Sequence, residues 1–157
     1  MVLYEDQDET LWNKELIEKG EYYLNRASKG DHLSRYHLEA AIAYWHTHKS
    51  DTREKWENIL QLYNKLLRIE YSPIAALNRT YALSKANGKE EAIAEAEKLG
   101  LEDYHLYHSL LANLYSGKNN GKALAHLQKA LALAKTDTDK KFIEKKIRNI
   151  QHQQKNI

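Results

Sequence analysis

Apolar residues recur along this chain with the period of a helix. Trp56, Ile59, Leu60, Tyr63, Leu66 and Leu67 fall at i, i+3, i+4, i+7, i+10 and i+11, which is one helix face. Leu38, Ala41, Ile42 and Trp45 repeat that spacing, and Phe142, Ile143, Ile147 and Ile150 do so near the end. Leu11, Trp12, Leu16 and Ile17 open the pattern directly after Asp6, Gln7 and Asp8. Nowhere do β-branched residues alternate with period two, so no strand signal appears.

The punctuation between these runs is that of helix ends. Asp51 followed by Glu54 predicts a capping box before the Trp56 helix, each side chain satisfying a backbone N–H at the helix start. Ser72-Pro73 predicts an N-cap followed by proline at the first helical position, where a missing N–H costs nothing. Asn87-Gly88, Asn119-Asn120-Gly121 and Lys29-Gly30-Asp31 are turn signals. The expected helices cover roughly 8–28, 34–49, 54–69, 73–86, 89–99, 103–116, 121–135 and 138–152. Connections this short make sequential helices antiparallel neighbours.

The chain also repeats itself. Sliding residues 77–101 by 31 positions brings them onto 108–132. Leu83 then meets Leu114, Ala92 meets Ala123, Ile93 meets Leu124, Ala94 meets Ala125 and Lys98 meets Lys129. Ala92 and Ala123 stand in the second helix of each pair, where a larger side chain would hold two helices apart. The helix–turn–helix unit, the paired Ala-Ile and Ala-Leu steps, and Lys129-Ala130-Leu131 resemble a tetratricopeptide repeat. The usual period is ~34 residues, so these are short variants, and the first-helix Trp and the Gly of that motif are missing. The expected fold is all-α: a right-handed array of antiparallel helix pairs, tetratricopeptide-like, with about eight helices. Residues 1–157 read as a single helical-repeat domain, with units near 73–100 and 103–135 and a capping helix over 138–152.

Composition narrows the function classes. At 157 residues the chain is one domain by size. Its 42% hydrophobic and 29% charged content is that of a globular chain in water. It holds no cysteine, which removes disulfides and thiolate chemistry and fits a reducing, cytoplasmic setting. No signal peptide appears, and no apolar run approaches the ~18 residues of a membrane span. A net charge of +2 offers the domain as a whole no electrostatic reason to bind a phosphate backbone, so no direct nucleic-acid partner and no membrane are expected.

Histidine is the chemically suggestive residue. His46 and His48 flank Thr47, and His105 and His108 stand at i, i+3 on one helix. No HExxH or comparable spacing accompanies them, and they read as packing or surface histidines beside Tyr104 and Tyr107. No GxSxG and no glycine-rich phosphate loop marks a nucleophile or a cofactor site. The chain is therefore expected to be no enzyme, with no cofactor and no metal. The stretch from Asp139 is locally basic through Lys140, Lys141, Lys145, Lys146 and Arg148. It reads as a solvated face opposite Phe142, Ile143, Ile147 and Ile150, rather than as a contact surface for nucleic acid or an acidic protein. First helices line the concave face of tetratricopeptide arrays, which makes Asn78, Arg79, His105 and His108 the groove candidates by position. Of the eleven Tyr and three Trp, most belong in the core and inter-helix seams.

Several stretches, in order, carry a wider resemblance: LYEDQDETLWNKELIEKG, RYHLEAAIAYWH, DTREKWENILQLYNKLL, SPIAALNRTYAL, YHLYHSLLANLY and ALALAKTDTDKKFIEKKI. From about Leu3 to about Ile150 the chain resembles the C-terminal, tetratricopeptide-like extension of a group of bacterial extracytoplasmic-function sigma factors. The resemblance implies that LYEDQD joins a linker to the extension. Both sigma regions are absent from this chain, so promoter recognition and core-polymerase binding by them do not carry over. It implies a regulatory domain that stands in for a separate anti-sigma protein and contacts the sigma regions of its parent chain, the RNA polymerase core, or both. Trp12, Tyr36, Trp45, His46, Asn78, Arg79, His105 and His108 match the pattern and are the candidate protein-interaction residues, with Trp12 also expected to anchor the first helix on the second and third. The alternative is a free-standing tetratricopeptide-like adaptor that grips a peptide.

Overall fold

The computed structural model describes residues 8–27, 34–48 and 50–155. Among them every regular element is helical: a 3-10 turn at Glu9–Leu11, then α1 (Lys14–Ala27), α2 (Arg35–Thr47), α3 (Arg53–Ile69), α4 (Pro73–Ala86), α5 (Lys89–Leu99), α6 (His105–Tyr115), α7 (Asn120–Leu133) and α8 (Asp137–Lys155). The chain divides into two compact units, one up to Ala82 and one from Leu83 onward, with the boundary inside α4. Asp6, Gln7 and the turn expected at Lys29-Gly30-Asp31 lie outside the described residues.

Two helix starts differ from the sequence expectation. The first helix does not run from residue 8. Asp8 accepts from the Thr10 backbone N–H at 3.0 Å and from its hydroxyl at 2.6 Å, closing a separate turn. Asn13 then accepts from the Leu16 N–H at 3.1 Å, and α1 begins only there. The Asp51 capping box does not form either. Thr52 is the N-cap of α3, its hydroxyl accepting from the Lys55 N–H at 3.3 Å. Asp51 instead accepts from the indole N–H of Trp56. Trp56 is 1% exposed, and a buried indole N–H without a partner is costly, so the carboxylate serves the side chain rather than the backbone. The other signals hold. Ser72 caps α4 with Pro73 in its first turn, and Asn119 accepts from the Lys122 N–H at 3.0 Å to start α7. Gly88 precedes α5 at φ +106° and Gly100 ends it at φ +58°, backbone that a side chain would strain.

In the first unit α2 packs against α1 and α3. Arg35 at the start of α2 meets Glu70, just past the end of α3, at 2.6 Å, while His46 at the end of α2 lies 5.9 Å, ring to ring, from Trp56 at the start of α3. The pair is therefore antiparallel. Tyr44 of α2 donates to Glu21 of α1 at 2.9 Å. The core joins Leu38 and Ile42 to Trp56, Ile59, Leu60, Tyr63 and Leu66, the apolar face expected for α3, with Ala76, Leu77 and Thr80 of α4. Lys55 is buried with them, and its ammonium donates to the His48 carbonyl at 2.5 Å, closing the end of α2.

In the second unit α6 packs against α5 and α7, and α7 against α8. Lys89 at the start of α5 donates to the carbonyls of Asn113 and Ser116 at the end of α6, at 3.3 and 3.0 Å. Lys122 at the start of α7 donates to the Tyr115 hydroxyl at the end of α6, at 3.3 Å. Both pairs are antiparallel. The 31-residue repeat reappears as a repeat of burial: Ala92 and Ala123 are fully buried, Ala94 and Ala125 are exposed, and so are Lys98 and Lys129.

That symmetry gives a stability prediction. Ala123→Leu overpacks a site with no free surface and is expected to destabilise the protein by about 1–3 kcal/mol. The control Ala125→Leu, two residues away on the exposed face, is expected to stay within about 0.5 kcal/mol. Urea titration of both variants checks this; equal midpoints for the two would undo the assignment of Ala123 as a close-approach position.

Candidate functional site

The eight candidate residues separate into different local roles. Tyr36 is open, 78% exposed at the start of α2. Trp12 is half-buried between the 3-10 turn and α1. Trp45 and His46 sit at the end of α2 in an aromatic cluster: Trp45 lies 5.1 Å from the His48 ring, and His46 meets Trp56, which in turn meets Tyr81 edge-on at 5.5 Å. Burial, and then the Lys55 ammonium, hold the His46 pKa below its ordinary value. Arg79 donates from Nε to Asn64 of α3 at 2.6 Å, tying α4 to α3. Asn78 is exposed, and its side chain offsets part of the rise that burial gives the Tyr63 pKa.

In the second unit His105 and His108 part company. His105 faces Asp139 of α8 at 3.9 Å. His108 is 1% exposed and turned into the seam between α6 and α7. Its Nδ1 lies 3.1 Å from Nδ1 of His126, and its Nε2 lies 3.0 Å from the Glu102 carbonyl. A carbonyl only accepts, so Nε2 of His108 carries a proton. The Glu102 carboxylate lies 3.5 Å from the same nitrogen. Across the seam one of the two Nδ1 atoms donates and the other accepts. The His126 ring stacks on His108 at 5.4 Å and on Tyr115 at 5.8 Å. Tyr115 donates to Glu97 of α5 at 2.6 Å, and that bond to a carboxylate is the main reason its pKa is raised. One polar seam thus links α5, α6 and α7. Among the described residues no group of three or more His, Asp or Glu side chains converges as a metal site would require.

Two features lay beyond the candidate residues. The first is a pocket of about 170 Å³ between α6, α7 and α8. Its apolar lining is Ala112, Leu127 and Ile150, and its polar lining is Asn113, Ser116, Lys146 and Asn149. The second is the exposed side of α8. Lys141, Lys145, Arg148 and His152 stand there at i, i+4, i+7 and i+11, a single stripe. Spacing of this kind was legible in the sequence; the pocket was not, because its walls are up to 38 residues apart. The repeat offered a sign for His108, since the 31-residue shift places it on Leu77, a core position. His126 had no comparable sign, lying on Glu95 in that alignment.

Comparison with known proteins adds one relative. The chain is 34% identical over 147 residues to an uncharacterized protein of Rhizobium meliloti (strain 1021). The match covers 91% of this chain and 35% of the relative, so the chain spans about a third of that protein's length. No family model matches the chain, and no solved structure matches it. No helix among the described residues is long and apolar enough to cross a membrane.

The histidines give a pH prediction. In the folded protein the His126 pKa is lowered by burial, by His108 and by Lys129, against the opposing pull of Glu102 and Glu97. Above the ordinary histidine value of 6.5 the ring is neutral in both folded and unfolded chains, and nothing is lost. As pH falls below it the unfolded chain binds protons first, so stability falls until the lowered folded-state value is passed. His46 adds a loss of the same sign. Thermal midpoints are expected to drop between pH 7 and pH 5.5, and the slope is expected to be shallower in His126→Gln. A slope identical in that variant would remove His126 as its source.

Proposed function

We propose that this chain is a regulatory protein-interaction domain of a sigma factor, modulating transcription initiation through contacts with the sigma regions of its parent chain or with RNA polymerase. The observation that carries the reading is the ordered motif set, from the EDQD segment with Trp12 through Ser72-Pro73 and Leu77-Asn78-Arg79 to the Tyr104–His108 run. Two further facts support it. Paired helices with a burial pattern repeated at 31 residues are the architecture of an interaction domain. The Rhizobium relative extends well beyond the matched stretch, which leaves room in such a protein for additional regions. On this reading the domain works by binding in the cytoplasm.

The second reading is a free-standing tetratricopeptide-like adaptor that grips a peptide. The pocket between α6, α7 and α8 favours it, since one open pocket with mixed lining is enough to hold a single side chain.

The two are separated by reading the gene upstream of the Met1 codon. The expected result is a continuous frame encoding two more helical regions, one with a basic recognition helix. Those regions, produced separately, are then expected to bind this chain with micromolar or better affinity by calorimetry. A stop codon and ribosome-binding site directly upstream would instead put the adaptor first.

A further inference from the structure

We infer that the pocket between α6, α7 and α8, together with the basic stripe on α8, is the site that receives a partner: an acidic protein segment carrying one apolar anchor side chain. The inference deepens the protein-interaction reading above and rests on it.

Three observations lead there. The first is how charge is paired. Lys19, Arg35, Arg53, Lys98, Lys118 and Lys129 each have a carboxylate at ion-pair distance. Lys140, Lys141, Lys145 and Arg148 have none among the described residues. Glu144 is the one carboxylate in residues 140–155, and it is exposed. Glu144 stands three residues after Lys141 and four before Arg148 but makes no ion pair with either. The stripe still presents three cations to this one neighbouring carboxylate, over about 10 Å of helix.

The second observation is where the pocket opens. On the helical wheel of α8, Asn149 lies between the stripe and Lys146, and both Asn149 and Lys146 line the pocket. Lys146 is drawn over the Phe142 ring at 4.8 Å, which carries its ammonium along the helix surface. The apolar hole and the basic stripe are thus adjacent parts of one surface.

The third is size and lining. The pocket is about 170 Å³. A cavity of about 150 Å³ accepts a benzene molecule. There is room for one leucyl or phenyl group against Ala112, Leu127 and Ile150, while Asn113 and Asn149 offer amide groups to the backbone that carries it.

The occupant follows from these together. A phosphodiester backbone would use the stripe but has nothing to place in the hole. Single-stranded bases need several exposed rings to stack on, and α8 offers only the His152 imidazole in the open, Phe142 being half-buried beside Lys146. Acidic residues flanking one apolar side chain use both parts of the surface.

The test is fluorescence anisotropy at low salt on the full chain. The probe is a fluorescein-labelled peptide with one leucine flanked on each side by three glutamates. Control probes replace the leucine with serine, or the glutamates with lysines, and a short DNA duplex serves as competitor. The leucine peptide is expected to bind. The serine version is expected to bind about tenfold more weakly or worse, from lost apolar burial. The lysine version is expected not to bind. Lys145→Glu with Arg148→Glu is expected to weaken the leucine peptide about tenfold, and Asn149→Trp, which covers the pocket mouth, to weaken it without altering the salt dependence. All three positions are solvent-facing, so circular dichroism is expected to be unchanged. Equal affinity for the leucine and serine probes overturns the inference. So does indifference to both variants, or a DNA duplex that binds where the peptide does not. If the parent sigma regions bind the chain and the charge-reversed variant equally well, this surface is wrong while the protein-interaction reading stands.

Discussion

Ala123 has no exposed surface, and α7 packs against both α6 and α8. Everything in the second unit depends on those close approaches. A methyl group is what lets the backbones come near enough for longer side chains to interlock beside it. Ala130 on the same helix, and Ala92 and Ala96 on α5, are equally buried. With small residues at the crossings, the larger ones fill the spaces between: Leu127 from α7, Leu111 and Leu114 from α6, and Ile143 and Ile150 from α8. The first unit solves the same problem differently. There one large side chain, Trp56, is wholly buried, and its indole N–H is satisfied by Asp51.

Close packing has a polar consequence. A seam this tight has no room for bulk water, so each titratable group inside it must find a protein partner. His108 finds two, the Glu102 carbonyl, to which its Nε2 donates, and His126. Lys55 finds the His48 carbonyl in the first unit. Arg79 finds Asn64. Side chains that look like recognition residues in a string of letters are thereby engaged in holding helices to one another.

The division of labour along α8 follows from its two faces. Ile143 and Ile150 go inward, so the residues between them that point away are free to carry charge at little cost to the fold. Asp137 and Asp139 lie in its first turn, where the N-terminal dipole favours acid, and the cations come after. Arg35 with Glu39 and Arg53 with Glu57 form ion pairs at i, i+4. On α8 Asp137 with Lys141 and Glu144 with Arg148 have the same spacing, but from residue 140 on the cations outnumber the carboxylates, so a chain with a net charge of only +2 has a basic side there.

The sequence by itself determined what depends on neighbours within a few turns. Helix positions, the Ser72-Pro73 and Asn119 starts, the glycine stops and the apolar face of α3 all follow from local periodicity and capping, which act over three or four residues. The 31-residue repeat, with its paired alanines, was legible for the same reason at longer range: two copies of one local pattern. Tertiary structure decided what depends on residues far apart in the chain. Asp51 had two possible uses, backbone cap or indole acceptor, and only the burial of Trp56 chose between them. The meeting of His108 with His126 across two helices, the Arg79–Asn64 bond and the pocket built from α6, α7 and α8 arise where helices cross. Those crossings are set by the summed packing of whole faces, so no short stretch of sequence contains them.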